Sequence, residues 1–77
     1  MIAAYILIQA EAGQAAGVAA ALRQVPGASN TARVAGPYDV ITRVEARDID
    51  ELGKLVATQV RTLEGVTRTL SCTVIHL

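Results

Sequence analysis

Two stretches of the chain carry polar groups whose types and spacing could meet a small molecule. The first is Gly36-Pro37-Tyr38-Asp39. A Gly-Pro dipeptide makes a turn, and glycine lets a backbone or ligand approach closely. Asp39 offers a carboxylate for an ammonium group. Tyr38 offers an apolar ring with a hydroxyl at its tip, and turn N–H groups can hold a carboxylate. Together these fit a zwitterion such as a free amino acid. An ordinary turn, with Asp39 bonded to local backbone, explains the same residues. The second stretch is the alternating row Thr67, Thr69, Ser71 and Thr73. Such a row puts hydroxyls on one strand face, where they bond a ligand or a neighbouring subunit, or serve only as good strand formers.

Catalytic arrangements are missing from the rest. Cys72 and His76 share a strand face but sit about 13 Å apart at ~3.3 Å per residue, too far to act as a pair. A lone cysteine is ordinarily a small buried hydrophobe. His76 has no neighbour at metal-ligand spacing, and no glycine-rich phosphate loop exists. Asp48-Ile49-Asp50-Glu51 lacks the spacing of a calcium loop and reads as the acidic start of a helix. We therefore expect no metal, no cofactor and no enzymatic activity.

The composition limits how these residues can be positioned. The chain has 77 residues, one domain's worth, and a domain this short buries only roughly 60–65% of its unfolded surface. One cysteine excludes an internal disulfide, so association of copies is the remaining source of burial. A hydrophobic content of 52% agrees, because some apolar surface needs a second chain to cover it. Seven Lys and Arg offset seven Asp and Glu, and two Tyr are the only aromatic residues. That balance argues against direct nucleic-acid binding, which needs clustered positive charge. The apolar start from Met1 to Ile8 has no basic leader and is interrupted at Gln9 and Glu11. It fits neither a signal peptide nor a membrane span, and a lone thiol suits a reducing compartment. The expected location is cytoplasmic.

Periodicity predicts the elements. Ile2 to Gln9 reads as a strand apolar on both faces, hence covered on both. Gln14 to Gln24 reads as a helix with a stripe of Ala15, Val18, Ala19 and Leu22, ended by Pro26-Gly27. Ala28 to Gly36 is a weaker strand, joined through Gly36-Pro37 to a clearer one over Tyr38 to Arg47. Asp48 and Glu51 form a capping-box pair that opens a second helix. Its stripe is Leu52, Leu55, Val56, Val60 and Leu63, with Gly65 just past its end. Val66 to Leu77 is the last strand. Residues 22–31 also align with residues 60–69 at an offset of 38. Two βαβ halves of this size give a ferredoxin-like βαββαβ sandwich, an α+β fold with a four-stranded antiparallel sheet and two helices on one face. The open face would take a second subunit.

Gly36-Pro37-Tyr38-Asp39-Val40-Ile41, Val44-Glu45-Ala46, Asp50-Glu51-Leu52-Gly53 and Leu63-Glu64-Gly65-Val66-Thr67-Arg68-Thr69 together resemble the ligand-binding domain of the Lrp/AsnC, or feast/famine, transcription regulators. This module is also called RAM, for regulation of amino acid metabolism. The resemblance runs from Met1 to Leu77 as one domain. It implies a homodimer joined through the sheets and assembled into octamer-like rings, with amino-acid effectors bound between dimers. It places Gly36, Tyr38 and Asp39 on the effector-binding turn and Thr69 and Ser71 on hydroxyl positions of the last strand. Many relatives have Thr where Ser71 stands. Full-length regulators carry a helix-turn-helix domain that this sequence lacks, so it resembles the stand-alone members. The implied role is an amino-acid sensor acting through protein partners, or a subunit that assembles with full-length regulators. Two other readings remain: a purely structural assembly module, and a small dimeric α+β barrel enzyme of the monooxygenase or isomerase type, although the chain has almost none of the His, Trp or Asn such pockets use.

Overall fold

A computed structural model describes residues 1–76. The elements are β1 (Ile2–Ala10), α1 (Ala15–Leu22), β2 (Ala28–Arg33), β3 (Val40–Ala46), α2 (Ile49–Leu55), continued by one π turn (Val56–Val60), and β4 (Val66–Thr73). The βαββαβ order is the expected one. All neighbouring strands are antiparallel, in the spatial order β2-β3-β1-β4, which is the ferredoxin-like arrangement. The last strand ends at Thr73 rather than running on to Leu77; Leu77 itself lies outside the described residues.

The core lies between the helices and one face of the sheet. Ala4, Ile6 and Ile8 of β1 and Val40 and Val44 of β3 are fully buried there. They meet Val18, Ala19 and Leu22 of α1 and Leu52, Val56 and Val60 of the second helix. Ala19 has little side chain to hold the helix off the sheet. Asp48 caps α2 as its sequence predicts, its carboxylate accepting from Glu51 N–H at 2.8 Å. Glu51 reaches back to Arg47 N–H at 3.1 Å, one residue before the cap, a shifted form of the reciprocal bond in a capping box. The helix then widens. Arg61 N–H reaches Val56 C=O, five residues back, and the side-chain hydroxyl of Thr58 donates to Lys54 C=O at 2.7 Å. Such widened turns recur at functional sites.

The internal repeat persists at the level of single hydrogen bonds. Val25 N–H donates to Leu22 C=O and Ala28 N–H to Val25 C=O; the same two bonds recur from Leu63 to Val60 and from Val66 to Leu63. Gly27 and Gly65 hold φ of 90° and 91°, the left-handed region that favours glycine. At Gly65 a Cβ would lie 2.7 Å from Gln14 Cβ.

The strands differ from the periodic reading where the ladder is irregular. β2 stops at Arg33 rather than Gly36, and β3 begins at Val40 rather than Tyr38. The turn between them is therefore a six-residue loop that contains Tyr38 and Asp39. Within β2, Ser29 faces Arg43 and Ala32 faces Ile41, so Asn30 and Thr31 both oppose Thr42. This bulge has a physical reason. Thr42 is fully buried, and its hydroxyl donates to Ser29 C=O at 3.1 Å while meeting the Thr31 hydroxyl at 2.9 Å. The bulge satisfies a polar group that would otherwise be buried unpaired.

Candidate functional site

The loop before β3 is tied to β1. Asp39 N–H donates to Ile8 C=O at 2.9 Å, and Asp39 C=O accepts from Val34 N–H at 2.9 Å. Ile8 thus directs its backbone groups toward β3, and by alternation Ala10 does too. At Ala10, however, β3 has already ended. The Asp39 carboxylate takes the place of the missing strand, accepting Ala10 N–H through Oδ2 at 2.8 Å. Gln9 Nε2 adds a bond to Pro37 C=O at 3.3 Å. Asp39 is therefore a strand-end cap. Its partner is backbone, as an ordinary turn would have it, but backbone on another strand 29 residues away. Its second oxygen makes no hydrogen bond among the described residues. Tyr38 and Asp39 are half-buried and Gly36 is exposed. Gly36 has a φ of 148° with open space around a would-be Cβ.

The hydroxyl row divides. Thr69, Ser71 and Thr73 pair with Ile8, Ile6 and Ala4, so they lie on the helix side of the sheet. Thr67 is an extra residue at a bulge, since Ala10 pairs with Val66 and Gln9 with Arg68. Its hydroxyl donates to Gln9 C=O at 3.0 Å. Thr69 and Ser71 make no side-chain hydrogen bond among the described residues. Thr69 and Asp39 flank Ile8 from opposite sides, two strand spacings or about 10 Å apart. The five residues singled out in the sequence thus gather at two places: Gly36, Tyr38 and Asp39 on the β3 side of β1, Thr69 and Ser71 on the β4 side.

Two grooves run beside Thr69 and Ser71. A polar one of about 430 Å³ is lined by Arg61, Val66, Thr67, Arg68 and Thr69. A smaller, mainly apolar one of about 230 Å³ is lined by Ile49, Leu52, Gly53, Val56, Ala57, Arg61, Ser71 and Thr73. Arg61 belongs to both. Arg61 and Arg68 were not apparent from sequence, where they look like scattered surface charge. Only the strand register and the position of the π turn bring them to one edge. Among the described residues the ion pairs are Arg43–Glu45 and Arg47–Glu51, both at 3.1 Å; Arg61 and Arg68 have no acid within 4 Å.

The other sheet face is open. Ile41, Leu7 and Leu70 lie in one row across β3, β1 and β4, with Arg43, Tyr5 and Cys72 in the next. Tyr5 and Leu70 are 42% and 47% exposed, so this face of β1 is apolar yet uncovered in a single chain. Among the described residues no group of His, Cys, Asp and Glu is placed to hold a metal. No helix there is long and apolar enough to cross a membrane.

Comparison with known proteins matches residues 3–76 to the Lrp/AsnC ligand binding domain. The chain belongs to the Lrp/AsnC family. It is 33% identical over 54 residues to a homocitrate synthase of Sulfurisphaera tokodaii and, over the same length, to an uncharacterized HTH-type transcriptional regulator of Pyrococcus furiosus. Each match covers 70% of this chain but only 12% and 36% of those proteins. A crystal structure from Thermus thermophilus aligns at a TM-score of 0.92 and 30% identity, covering 100% of this chain and 96% of that one. A Neisseria meningitidis transcriptional regulator solved with L-Met aligns at 0.86 and 21% identity, over 97% of this chain and 50% of that one. The Lrp/AsnC module is thus similar both to a chain of its own length and to parts of longer proteins, and it is a regulatory effector-binding module.

Proposed function

We propose that the chain binds a small amino-acid effector, performs no catalysis, and works as an assembly of its own copies. The observation that carries this reading is the pair Thr69, half-buried, and Ser71, exposed, whose hydroxyls have no side-chain hydrogen bond among the described residues and border grooves beside β4. Gly36, Tyr38 and Asp39 supply the second part of the site, with one Asp39 oxygen left for an ammonium group. The Neisseria regulator's L-Met complex supports an amino acid as the ligand class. Since Asp39 and Thr69 sit on opposite sides of β1, the two parts meet across an interface between copies more readily than within one chain.

Assembly rests on the open face. The row Ile41, Leu7 and Leu70 with Tyr5 gives two sheets an apolar surface on which to stack, and the octamer-like ring follows by further association of dimers. Full-length regulators of the family are the protein partners of this reading, and the cytoplasm its location. The test is a thermal-shift panel of the twenty amino acids. A ligand at a hundred times its Kd stabilises the fold by about 2.7 kcal/mol. In a domain of this length that raises Tm by about 10–20 °C. No shift at millimolar concentration for any amino acid would leave assembly as the module's only role.

A further inference from the structure

The two edges of the sheet differ. The β2 edge is broken by the bulge of Asn30 and Thr31, with Asn30 at a φ of 52°, and a bulged edge is a poor template for another strand. β4 keeps a regular register from Arg68 to Thr73. Val74 N–H donates to Ala3 C=O at 2.8 Å, so even-numbered residues of β4 exchange bonds with β1. Thr69, Ser71 and Thr73 then turn their N–H and C=O groups to the free edge, because antiparallel pairing alternates and β4 ends the sheet. α2 runs above this edge. Leu52 and Val56 face the core, and Leu55 faces the Pro26-Gly27 turn. At 3.6 residues per turn, Asp50, Gly53 and Ala57 fall on the flank opposite Leu55. Gly53 and Ala57 line the apolar groove there with Ser71 and Thr73, and Arg61 closes it. Asp50 and Arg61 are exposed, and neither is in an ion pair among the described residues.

We propose that β4 pairs antiparallel with β4 of a second copy about a two-fold axis at Ser71, so that two four-stranded sheets join edge to edge. Ser71 then opposes Ser71 of the second copy, and Thr69 opposes its Thr73, with two main-chain bonds at each pair. The hydroxyls meet across the same seam, as those of threonine and serine do between neighbouring strands. Two helices cover four strands, about 9.6 Å of sheet each. The two α2 helices therefore lie side by side and antiparallel, within the ~8–10 Å of ordinary helix packing. Gly53 faces Ala57 of the second copy, both small enough for that approach, and Asp50 meets its Arg61. A parallel pairing would set Asp50 against Asp50 and Arg61 against Arg61. This contact lies on a different surface from the stacked open faces and needs no effector. A hydroxyl both donates and accepts, so pairing leaves Thr69 and Ser71 able to bond a ligand.

The test is a disulfide trap on the whole chain, in a Cys72→Ser background. Opposed residues of such a pair have Cα atoms about 5.5 Å apart, inside the roughly 4.4–6.8 Å that a disulfide spans. Ser71→Cys should therefore give a covalent dimer on mild oxidation, read on a non-reducing gel. The contact is short, so a covalent trap reads it where mass alone would not. Arg33→Cys, on the bulged edge, should stay monomeric on the same gel. Gly53→Gln should abolish the Ser71→Cys cross-link by filling the helix crossing. A side chain at Gly53 meets nothing in a single chain and favours the helix, so the far-ultraviolet dichroism should be unchanged. Arg61→Asp should weaken the cross-link, and Asp50→Arg added to it should restore the yield. No cross-link at Ser71→Cys overturns the proposal. So does an equal yield at Arg33→Cys, a yield indifferent to Gly53→Gln, or a charge-swapped pair no better than Arg61→Asp alone. The amino-acid reading is decided by the thermal-shift panel and the open-face stack by a charge at Leu70, so this pairing can fail while both stand.

Discussion

Replacing Asp39 by alanine tests whether the residue belongs to the fold before it belongs to a ligand. Its carboxylate is the acceptor for Ala10 N–H at 2.8 Å, in a half-buried position where β1 outruns β3. Losing a hydrogen bond to a charged group costs about 1.5–3 kcal/mol when the partner is left dry. Half-burial lets water replace part of it, so about 1–2 kcal/mol is expected. In a domain of this length, each kcal/mol moves Tm by about 4–8 °C, which predicts a fall of about 5–15 °C. Asp39→Asn keeps an oxygen acceptor without the charge and should lose about half as much. Urea and thermal unfolding of the ligand-free proteins, at one fixed concentration because association shifts Tm, give both numbers. An Asp39→Ala protein within about 0.3 kcal/mol of the parent, below the usual spread of neutral surface changes, would refute the strand-end cap. The asparagine variant has a second use. If its fold is near that of the parent but amino-acid affinity drops about tenfold or more, the charge itself contacts the ligand. The alanine variant cannot separate the two effects.

Leu70→Asp places a carboxylate opposite Leu7 in the apolar row of the open face. It should convert an assembly to monomer in size-exclusion chromatography with light scattering, because a buried unpaired charge costs several kcal/mol; an unchanged mass would remove this face from the interface. Gly17 lies in α1 with open space where a Cβ would be. Gly17→Ala should therefore stabilise by about 0.5–1 kcal/mol, read as a rise in the urea midpoint. Gly65→Ala should do the opposite by about 1–3 kcal/mol, since φ is 91° and Gln14 Cβ stands 2.7 Å away. Equal effects of the two substitutions would contradict the placement of both glycines.

Period and punctuation made the element order legible. Val18, Ala19 and Leu22, then Leu52, Val56 and Val60, fall on the buried stripes that their spacing requires. Asp48 and Glu51 cap α2 through bonds confined to five residues, and local bonds are what a linear reading sees. The irregular ladder was not legible. Nothing in Asn30-Thr31 announces that both must oppose Thr42, because the need arises from burial of Thr42 eleven residues on. Asp39 was recognised as a residue able to bond backbone, but its partner Ala10 is set by where β3 ends relative to β1. Arg61 and Arg68 escaped notice for a related reason. Their common groove depends on the extra residue Thr67 in β4 and on the widened turn that ends at Val60, two insertions with no period of their own.

The internal repeat explains why a hydroxyl is free on one side of the sheet and spent on the other. Thr31 and Thr69 are equivalent at the offset of 38 residues, each on an edge strand that follows a left-handed glycine. Thr31 finds Thr42 on the neighbouring β3 and bonds it at 2.9 Å. Thr69 instead faces Ile8 on β1, which has no polar side-chain atom to offer. The centre of the sheet must be apolar to bury α1 and α2, so the second copy of the hydroxyl has no internal partner. A half-buried hydroxyl without a protein partner is satisfied by water or by a ligand. Repetition of one βαβ unit built the fold, and the mismatch between its two neighbours, β3 with a threonine and β1 with isoleucines, left a hydroxyl on β4 without a side-chain partner among the described residues. Substituting Thr31 should therefore be read in stability and substituting Thr69 in binding, although the two residues hold the same place in their halves.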